Sequence, residues 1–303
     1  MNCIFIYNPV SGRGKISKKL PYIEKTLKQK YDAVDVYATK GPGDTVLIAK
    51  SAVENYDAIV FAGGDGTFNE ILHGIAGSDK QPELGYIPTG TVNDIAHTLK
   101  IPRNVKKALR IVINGKNEML DCMMVNDHYA MYVIAAGAFT SATYTTAQLQ
   151  KNQIGRVAYW LEGVKHNLNF DVFDIHCEQD GKKNQTGGLL ISIINSRYVA
   201  GFRLNRTASL QDGKIELIVV KQKKNSNFFQ KVASFFALAK LFLLGYRSND
   251  KNFLKMEGTK FDICVDDTVV WNFDGERGIT GNIHVEVLPK KVNMLVSQKM
   301  KKI

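Results

Sequence analysis

Phe61-Ala62-Gly63-Gly64-Asp65-Gly66-Thr67-Phe68-Asn69-Glu70 decides how this chain folds. An apolar run, Ala58 to Ala62, enters it and a helical pattern leaves it, so it reads as strand, glycine turn and helix N-terminus in succession. Adjacent glycines let backbone N–H groups approach an anionic oxygen closely, and the helix N-terminus adds a partial positive charge. Asp65 supplies what glycine cannot, a carboxylate able to reach a cation that travels with phosphates. A lone Gly-Asp-Gly is also an ordinary turn, so the neighbouring strands have to arbitrate.

They repeat the arrangement. Cys3 to Tyr7, Val34 to Ala38, Ala58 to Ala62 and Leu84 to Ile87 read as strands. Lys15 to Lys30, Gly43 to Asn55, Thr67 to Ala76 and Asn104 to Asn114 read as the helices between and after them. This alternation predicts a parallel sheet with crossover helices. Asn8-Pro9-Val10-Ser11-Gly12-Arg13-Gly14-Lys15 follows the first strand, and Pro88-Thr89-Gly90-Thr91-Val92-Asn93-Asp94 follows the fourth. Both loops fall at carboxyl ends of strands, the rim on which open α/β sheets bind ligands. The first is not a P-loop, because it lacks the leading glycine and Ile16 stands where Ser or Thr would meet Mg²⁺. A different phosphate-binding architecture is required.

With 303 residues, 45% apolar and 23% charged, the chain is long enough for two domains. The α/β pattern occupies 1–125. Over 126–303 the texture becomes β-rich, mainly antiparallel, with strands at Phe170 to Glu178, Leu189 to Asn195, Lys214 to Lys221, Lys260 to Val265 and Ile283 to Leu288. Helices at Gly155 to Leu168 and Phe228 to Tyr246 are inserted among them, and the last strand or segment is free to return to the first domain.

Forty Lys and Arg against 29 Asp and Glu give a net charge of +11, an attraction to phosphates, nucleic acid or an acidic membrane. No helix-turn-helix, zinc module or aromatic RNA-binding motif supports nucleic acid. The four scattered cysteines, Cys3, Cys122, Cys177 and Cys264, form no CxxC pair and suit a reducing cytosol. The start, MNCIFIYNPV, reads as a first strand and not a signal peptide. No charge-free apolar run reaches the ~18 residues of a membrane span, so membrane contact is expected to be peripheral.

Taken with SLQDGKIEL at 209 to 217 and FDGERG at 273 to 278, the NPVSGRGK, GGDGTFNE and GTVND stretches resemble the diacylglycerol kinase catalytic-domain family of lipid kinases, especially its soluble bacterial members. Order and spacing match over nearly the whole chain. GGDGT is the less specific part, being shared with NAD kinases and, in similar form, phosphofructokinases. The resemblance implies a phosphofructokinase/NAD kinase-like α/β domain followed by an antiparallel β-sandwich domain. It implies that ATP lies across Asn8, Pro9, Val10, Ser11, Gly12, Thr39, Gly63, Gly64, Asp65, Gly66, Thr67, Phe68, Asn69 and Thr91. It also implies that Asp65 and Asp121 organise the catalytic Mg²⁺ and nucleotide, and that Glu276 is the general base for the lipid hydroxyl. From residues alone, Thr39 is a strand-terminal threonine, Asp121 only starts a strand Cys122 to Val125, and Asp274-Gly275 is a hairpin turn with an exposed glutamate behind it. A second, structural Mg²⁺ site is implied at Asp212 with the carbonyls of Ser209 and Lys214, although relatives often carry an acid where Gln211 stands and Gln-Asp-Gly is itself a good turn.

Along Phe228 to Tyr246, residues Phe228, Phe229, Val232, Phe235, Phe236, Ala239, Phe242 and Leu243 share one helical stripe, with Lys231 and Lys240 at its edges. That suits an interfacial helix, and equally an amphipathic helix packed on its own domain. Lys15, Lys165, Lys221, Lys223 and Lys224 are candidates for a basic membrane-facing surface.

The expected activity is transfer of the terminal phosphoryl group of ATP to a lipid hydroxyl, diacylglycerol becoming phosphatidate. It is expected in the cytoplasm at the inner membrane surface, in a cleft between the domains. Phosphatidylglycerol, a sphingoid base or an NAD kinase-type small molecule are the rival acceptors, and a nucleotide-binding regulator without turnover is the rival class. The anionic membrane is the expected partner, nucleic acid is not, and a homodimer is left open.

Overall fold

The structure, a computed structural model, describes residues 1–10, 14–138, 171–179, 181–246 and 250–300. The chain divides into two compact units, each built from separated segments.

The first unit comprises Met1–Cys122, Leu210–Asp212 and Leu288–Ile303. Strands β1 (Asn2–Tyr7), β2 (Ala33–Ala38), β3 (Ala58–Gly63) and β4 (Glu83–Pro88) alternate with helices α1 (Leu20–Leu27), α2 (Asp44–Asn55) and α3 (Asp65–Ile75). The strands lie parallel in the order β4-β3-β1-β2. β3 is buried at every position because helices cover both faces of a parallel sheet, which is why it reads as an unbroken apolar run. β2 is the edge, largely exposed. After β4 come α4 (Asp94–Thr98), α5 (Val105–Asn114) and β5 (Lys116–Val125).

Several boundaries differ from the sequence expectation. The helix expected at Lys15 to Lys30 begins as a 3-10 turn at Ser17–Lys19 and becomes α1 only at Leu20, with Pro21 in its first turn where the missing N–H is harmless. The helix expected from Thr67 starts at Asp65, so Asp65, Gly66 and Thr67 form the first turn of α3 rather than a loop before it. Asp121 does not open a short strand; it lies inside the ten-residue β5.

The second unit comprises Met123–Ser209 and Gly213–Val287. It is antiparallel throughout: β6 (His128–Ala130), β7 (Val133–Gly137), β8 (Phe173–Gln179), β9 (Lys182–Ile194), β10 (Ile215–Lys221), β11 (Phe253–Gly258), β12 (Lys260–Cys264), β13 (Val270–Phe273), β14 (Glu276–Thr280) and the start of β15 (Ile283–Val296). The main order is β14-β13-β7-β9-β8-β12-β15, with β10 joining β9 to β11. Its core gathers alternate residues of these strands, among them Ile134, Phe173, Ile191, Val219, Phe261 and Trp271. β15 was expected to end at Leu288. It runs on to Val296, and in the first unit Met294 pairs parallel with Leu84 of β4.

Helix α6 (Phe228–Leu244) belongs to the second unit. Asn227 and Gln230 form a capping box at its start, and Gly245, at φ 74°, ends it. Its buried residues are Ser234, Ala237, Leu238 and Leu241, and the Ser234 hydroxyl donates to the Lys221 carbonyl of β10 at 2.9 Å. Only part of the expected stripe packs: Val232, Phe235, Ala239 and Phe242 are half-buried, Phe242 against Phe202 with ring centroids 5.5 Å apart, while Phe228, Phe229, Phe236 and Leu243 are exposed. The helix expected at Gly155 to Leu168, and Lys165 within it, lie outside the described residues.

Candidate active site

β3 delivers Gly63 beside Pro88 of β4, and the two following loops then touch backbone to backbone. Thr89 N–H donates to the Gly63 carbonyl at 2.8 Å. A Cβ on Gly90 would stand 2.4 Å from the Gly64 Cα and 2.7 Å from Asn93 Oδ1, so a side chain there would push the loops apart. A Cβ on Gly63 would meet the Thr67 side chain at 2.3 Å. The glycines thus serve mutual loop packing as well as ligand access. Phe61 and Tyr86 stack with ring centroids 4.9 Å apart, and Phe68 of α3 meets both edge-to-face at 5.5 Å, which holds the start of α3 against the sheet.

Asp65 is held from one side only. Its Oδ2 accepts the Asn93 N–H at 2.7 Å, while Oδ1 is buried with no hydrogen-bond partner. Asn93 is fully buried at φ 58°, a left-handed conformation that asparagine tolerates better than most residues, and it donates through Nδ2 to the Gly90 carbonyl at 2.8 Å. Burial pushes the Asp65 carboxyl above its usual value, and the backbone N–H groups of Asn93, Asp94 and Ile95 pull against that without cancelling it. A buried carboxylate oxygen without a hydrogen-bond partner has the donor chemistry that a hard cation takes.

The remaining nucleotide candidates surround these loops by sequence and pairing. Asn8 receives the Val10 N–H on its side chain at 3.0 Å, a turn that shapes the first loop, with Pro9 between them. Ser11 and Gly12 lie outside the described residues. Thr39 is buried, its N–H on the Tyr7 carbonyl at 2.9 Å. Asp44 fixes that corner, accepting from Lys40 N–H at 2.7 Å and from the Tyr37 hydroxyl. Gly66 and Thr67 lie in the first turn of α3, followed by buried Phe68 and half-buried Asn69. Glu70 reaches back to the Gly43 N–H at 3.1 Å and so ties α3 to the start of α2.

Sequence reasoning missed Arg103. Its guanidinium donates to the carbonyls of Thr91 and, at 3.2 Å, Val92, clamping the loop that carries exposed Thr91. An arginine in a helix-to-helix connection carries no local signal; a cation just past a glycine loop is the only hint the sequence offers.

Asp121 is buried and serves the backbone. Its Oδ1 accepts the Lys290 N–H at 2.8 Å, where Lys290 bends β15 at φ 53°, and its own N–H donates to the Leu210 carbonyl at 2.7 Å. Of the expected second metal set, Asp212 and Lys214 are exposed and Ser209 is half-buried. Lys214 pairs with Glu257 at 2.8 Å. Gln211 donates to Glu118 at 2.8 Å, and Lys116, the larger influence, and Gln211 together hold that carboxyl below its usual value. Among the described residues no group of three His, Cys, Asp or Glu side chains converges as a ready metal cage.

In the second unit, Asp274 and Gly275 turn the β13–β14 hairpin at φ 51° and 96°. Glu276 follows, exposed, paired with Phe273 across the hairpin. Asp274 is not simply a turn residue. Its buried carboxylate accepts the N–H groups of Met131, Tyr132 and Val133 at 2.5, 2.9 and 3.0 Å, and its carbonyl accepts the Tyr132 hydroxyl at 2.9 Å.

Comparison with known proteins bears on the family and the fold. Residues 2–125 match the model described as Diacylglycerol kinase catalytic domain, and 132–296 match the YegS C-terminal NAD kinase beta sandwich-like domain. A protein of Bacillus subtilis (strain 168) called diacylglycerol kinase is 33% identical over 298 residues, covering 94% of this chain and 96% of that one. One from Staphylococcus aureus (strain bovine RF122 / ET3-1) with the same name is 36% identical over 219 residues, 72% of this chain and 70% of that one. A Bacillus anthracis str. Sterne crystal structure described as a diacylglycerol kinase superposes with a TM-score of 0.76 at 21% identity, covering 98% of this chain and 97% of that one, which shows the fold.

Proposed function

The chain belongs to the diacylglycerol kinase catalytic-domain family, a lipid kinase that uses ATP, and from that premise we propose that it phosphorylates the free hydroxyl of diacylglycerol to give phosphatidate. The observation that carries the nucleotide half of this reading is Asp65 Oδ1, buried and unpartnered beside the Gly64–Gly90 contact. The names of the relatives support the acceptor.

Phosphoryl transfer asks a protein mainly to position and to neutralise charge. The N–H groups of the glycine loops and the N-terminus of α3 receive phosphate oxygens, and Thr39, Asn69 and Thr91 complete the nucleotide contacts. Asp65 would hold Mg²⁺ with help from Asp121, and the ion, when bound, would offset charge on the phosphate chain. Asp212 would take a second, structural Mg²⁺ with the carbonyls of Ser209 and Lys214. Glu276 accepts the proton of the attacking hydroxyl, and its exposure leaves it accessible to an acceptor. The working place is the surface of an anionic membrane.

Purified protein given radiolabelled ATP and, separately, dispersed diacylglycerol, phosphatidylglycerol, a sphingoid base and NAD tests the acceptor. Label in phosphatidate is expected, and label in another product with none in phosphatidate refutes it. Glu276→Gln should leave nucleotide affinity unchanged and lower turnover by about 10²- to 10⁴-fold; unchanged turnover would remove Glu276 from the mechanism.

A further inference from the structure

We propose that α6 is the element by which this enzyme inserts into the bilayer that holds its substrate, an inference that rests on the lipid acceptor.

The side of α6 that faces the protein is already occupied by Ser234, Ala237, Leu238 and Leu241. The opposite side is apolar as well and, among the described residues, stays exposed. Phe229 is 81% exposed, Phe236 64% and Leu243 56%, with Phe228 at 63% next to them. Phe229, Phe236 and Leu243 recur every seven residues and so form one outward line roughly 20 Å long. A helix apolar on both sides is ordinarily buried on both, and scattered exposed apolar residues are commonplace where a contiguous line of large ones is not.

Charge selects the occupant. From Lys221 to Tyr246 the chain has five lysines and no acidic residue. Lys223 and Lys224 are exposed just before the helix, Lys224 paired with Asp174 at 2.9 Å. Lys231 and Lys240 lie along it, half-buried. Lys240 reaches Asp250 at 2.8 Å, beyond the helix end. Large aromatic and aliphatic side chains among lysines suit an anionic bilayer, with rings in the acyl boundary and ammoniums at headgroup level. A second copy of this helix would set lysine against lysine. No helix among the described residues is long and apolar enough to cross a membrane.

The full-length chain is tested as wild type and as the triple variant Phe229→Gln, Phe236→Gln, Leu243→Gln, in which all three positions remain solvent-facing. Two readouts are taken. Vesicles of phosphatidylcholine and phosphatidylglycerol in equal amounts should bind the triple variant about a hundredfold less tightly than wild type, while short-chain diacylglycerol in solution is phosphorylated equally well by both. Equal vesicle binding overturns the assignment of α6. Failure of wild type to phosphorylate soluble diacylglycerol would instead strike at the acceptor, leaving the vesicle result to be read alone. A Phe236→Trp reporter, read as the difference spectrum against wild type because the chain already has Trp160 and Trp271, excludes other occupants: the added emission should shift to the blue only when vesicles are present. An added emission that is already blue-shifted in buffer alone means the stripe is covered by protein, and overturns the proposal.

Discussion

At the scale of a single residue, Asp65 shows stability given up for function. An unpartnered buried carboxylate oxygen costs about 1–3 kcal/mol, and the cost persists until a ligand arrives. Because burial raises its folded pKa, the folded chain holds a proton that the unfolded chain releases, so its contribution to stability is present at low pH and disappears as pH rises through the raised value. Asp65→Asn removes that loss. Without nucleotide it should melt higher than wild type, by about 1 kcal/mol in stability near neutrality, with the gap shrinking as pH falls toward about 4. It should also abolish turnover. In wild type, affinity for Mg²⁺-nucleotide should weaken as pH drops through the raised value, starting above the ordinary carboxylate range. Melting curves and nucleotide titrations across pH check both; a variant that melts lower than wild type near neutrality would mean Oδ1 is satisfied.

At the scale of an element, the β13–β14 hairpin connects the proposed base to the rest of its unit. Three backbone N–H groups of 131–133 end on the Asp274 carboxylate, two residues before Glu276. Asn accepts the left-handed backbone of position 274, so Asp274→Asn isolates the carboxylate from the turn. It puts an amide where donors converge and should cost about 2–3 kcal/mol of stability. As a positioning residue, Asp274 should affect turnover well beyond nucleotide KM, because the nucleotide loops lie on other strands. A matched change in both, or none, would reduce it to a turn residue, and steady-state kinetics beside urea melts decide. The hairpin also shows where sequence legibility ends. Asp274-Gly275 reads as a turn because turn chemistry is local, whereas the segment that Asp274 binds lies some 140 residues away and leaves no trace in spacing. The glycine loops were readable for the same reason: Gly63 ends β3, Gly64 follows it, and Gly90 lies two residues past β4. The Arg103 clamp was not, nor was the unbroken run of β15 from Ile283 to Val296, although a return of the last segment to the first domain was among the expectations; each is decided by partners distant in sequence. The phenylalanine stripe of α6 was visible, but periodicity cannot say which of two apolar sides meets the protein.

At the scale of the whole molecule, the net charge of +11 and the apolar side of α6 are two attractions with different ranges. Coulomb attraction to anionic lipid acts over about 10 Å at 0.1 M salt and about 3 Å at 1 M, whereas burial of aromatic rings in the acyl boundary is not screened. Charge should therefore set how fast the enzyme arrives at the membrane, and α6 how long it stays. Raising salt from 0.1 M to 1 M should weaken binding to vesicles containing phosphatidylglycerol without eliminating it, and change binding to pure phosphatidylcholine little. In flotation assays the residual binding at high salt should be the part that disappears when Phe229, Phe236 and Leu243 are replaced. Complete release of the wild-type enzyme by salt would mean that charge alone attaches it, and that the exposed phenylalanines contribute nothing at the lipid surface.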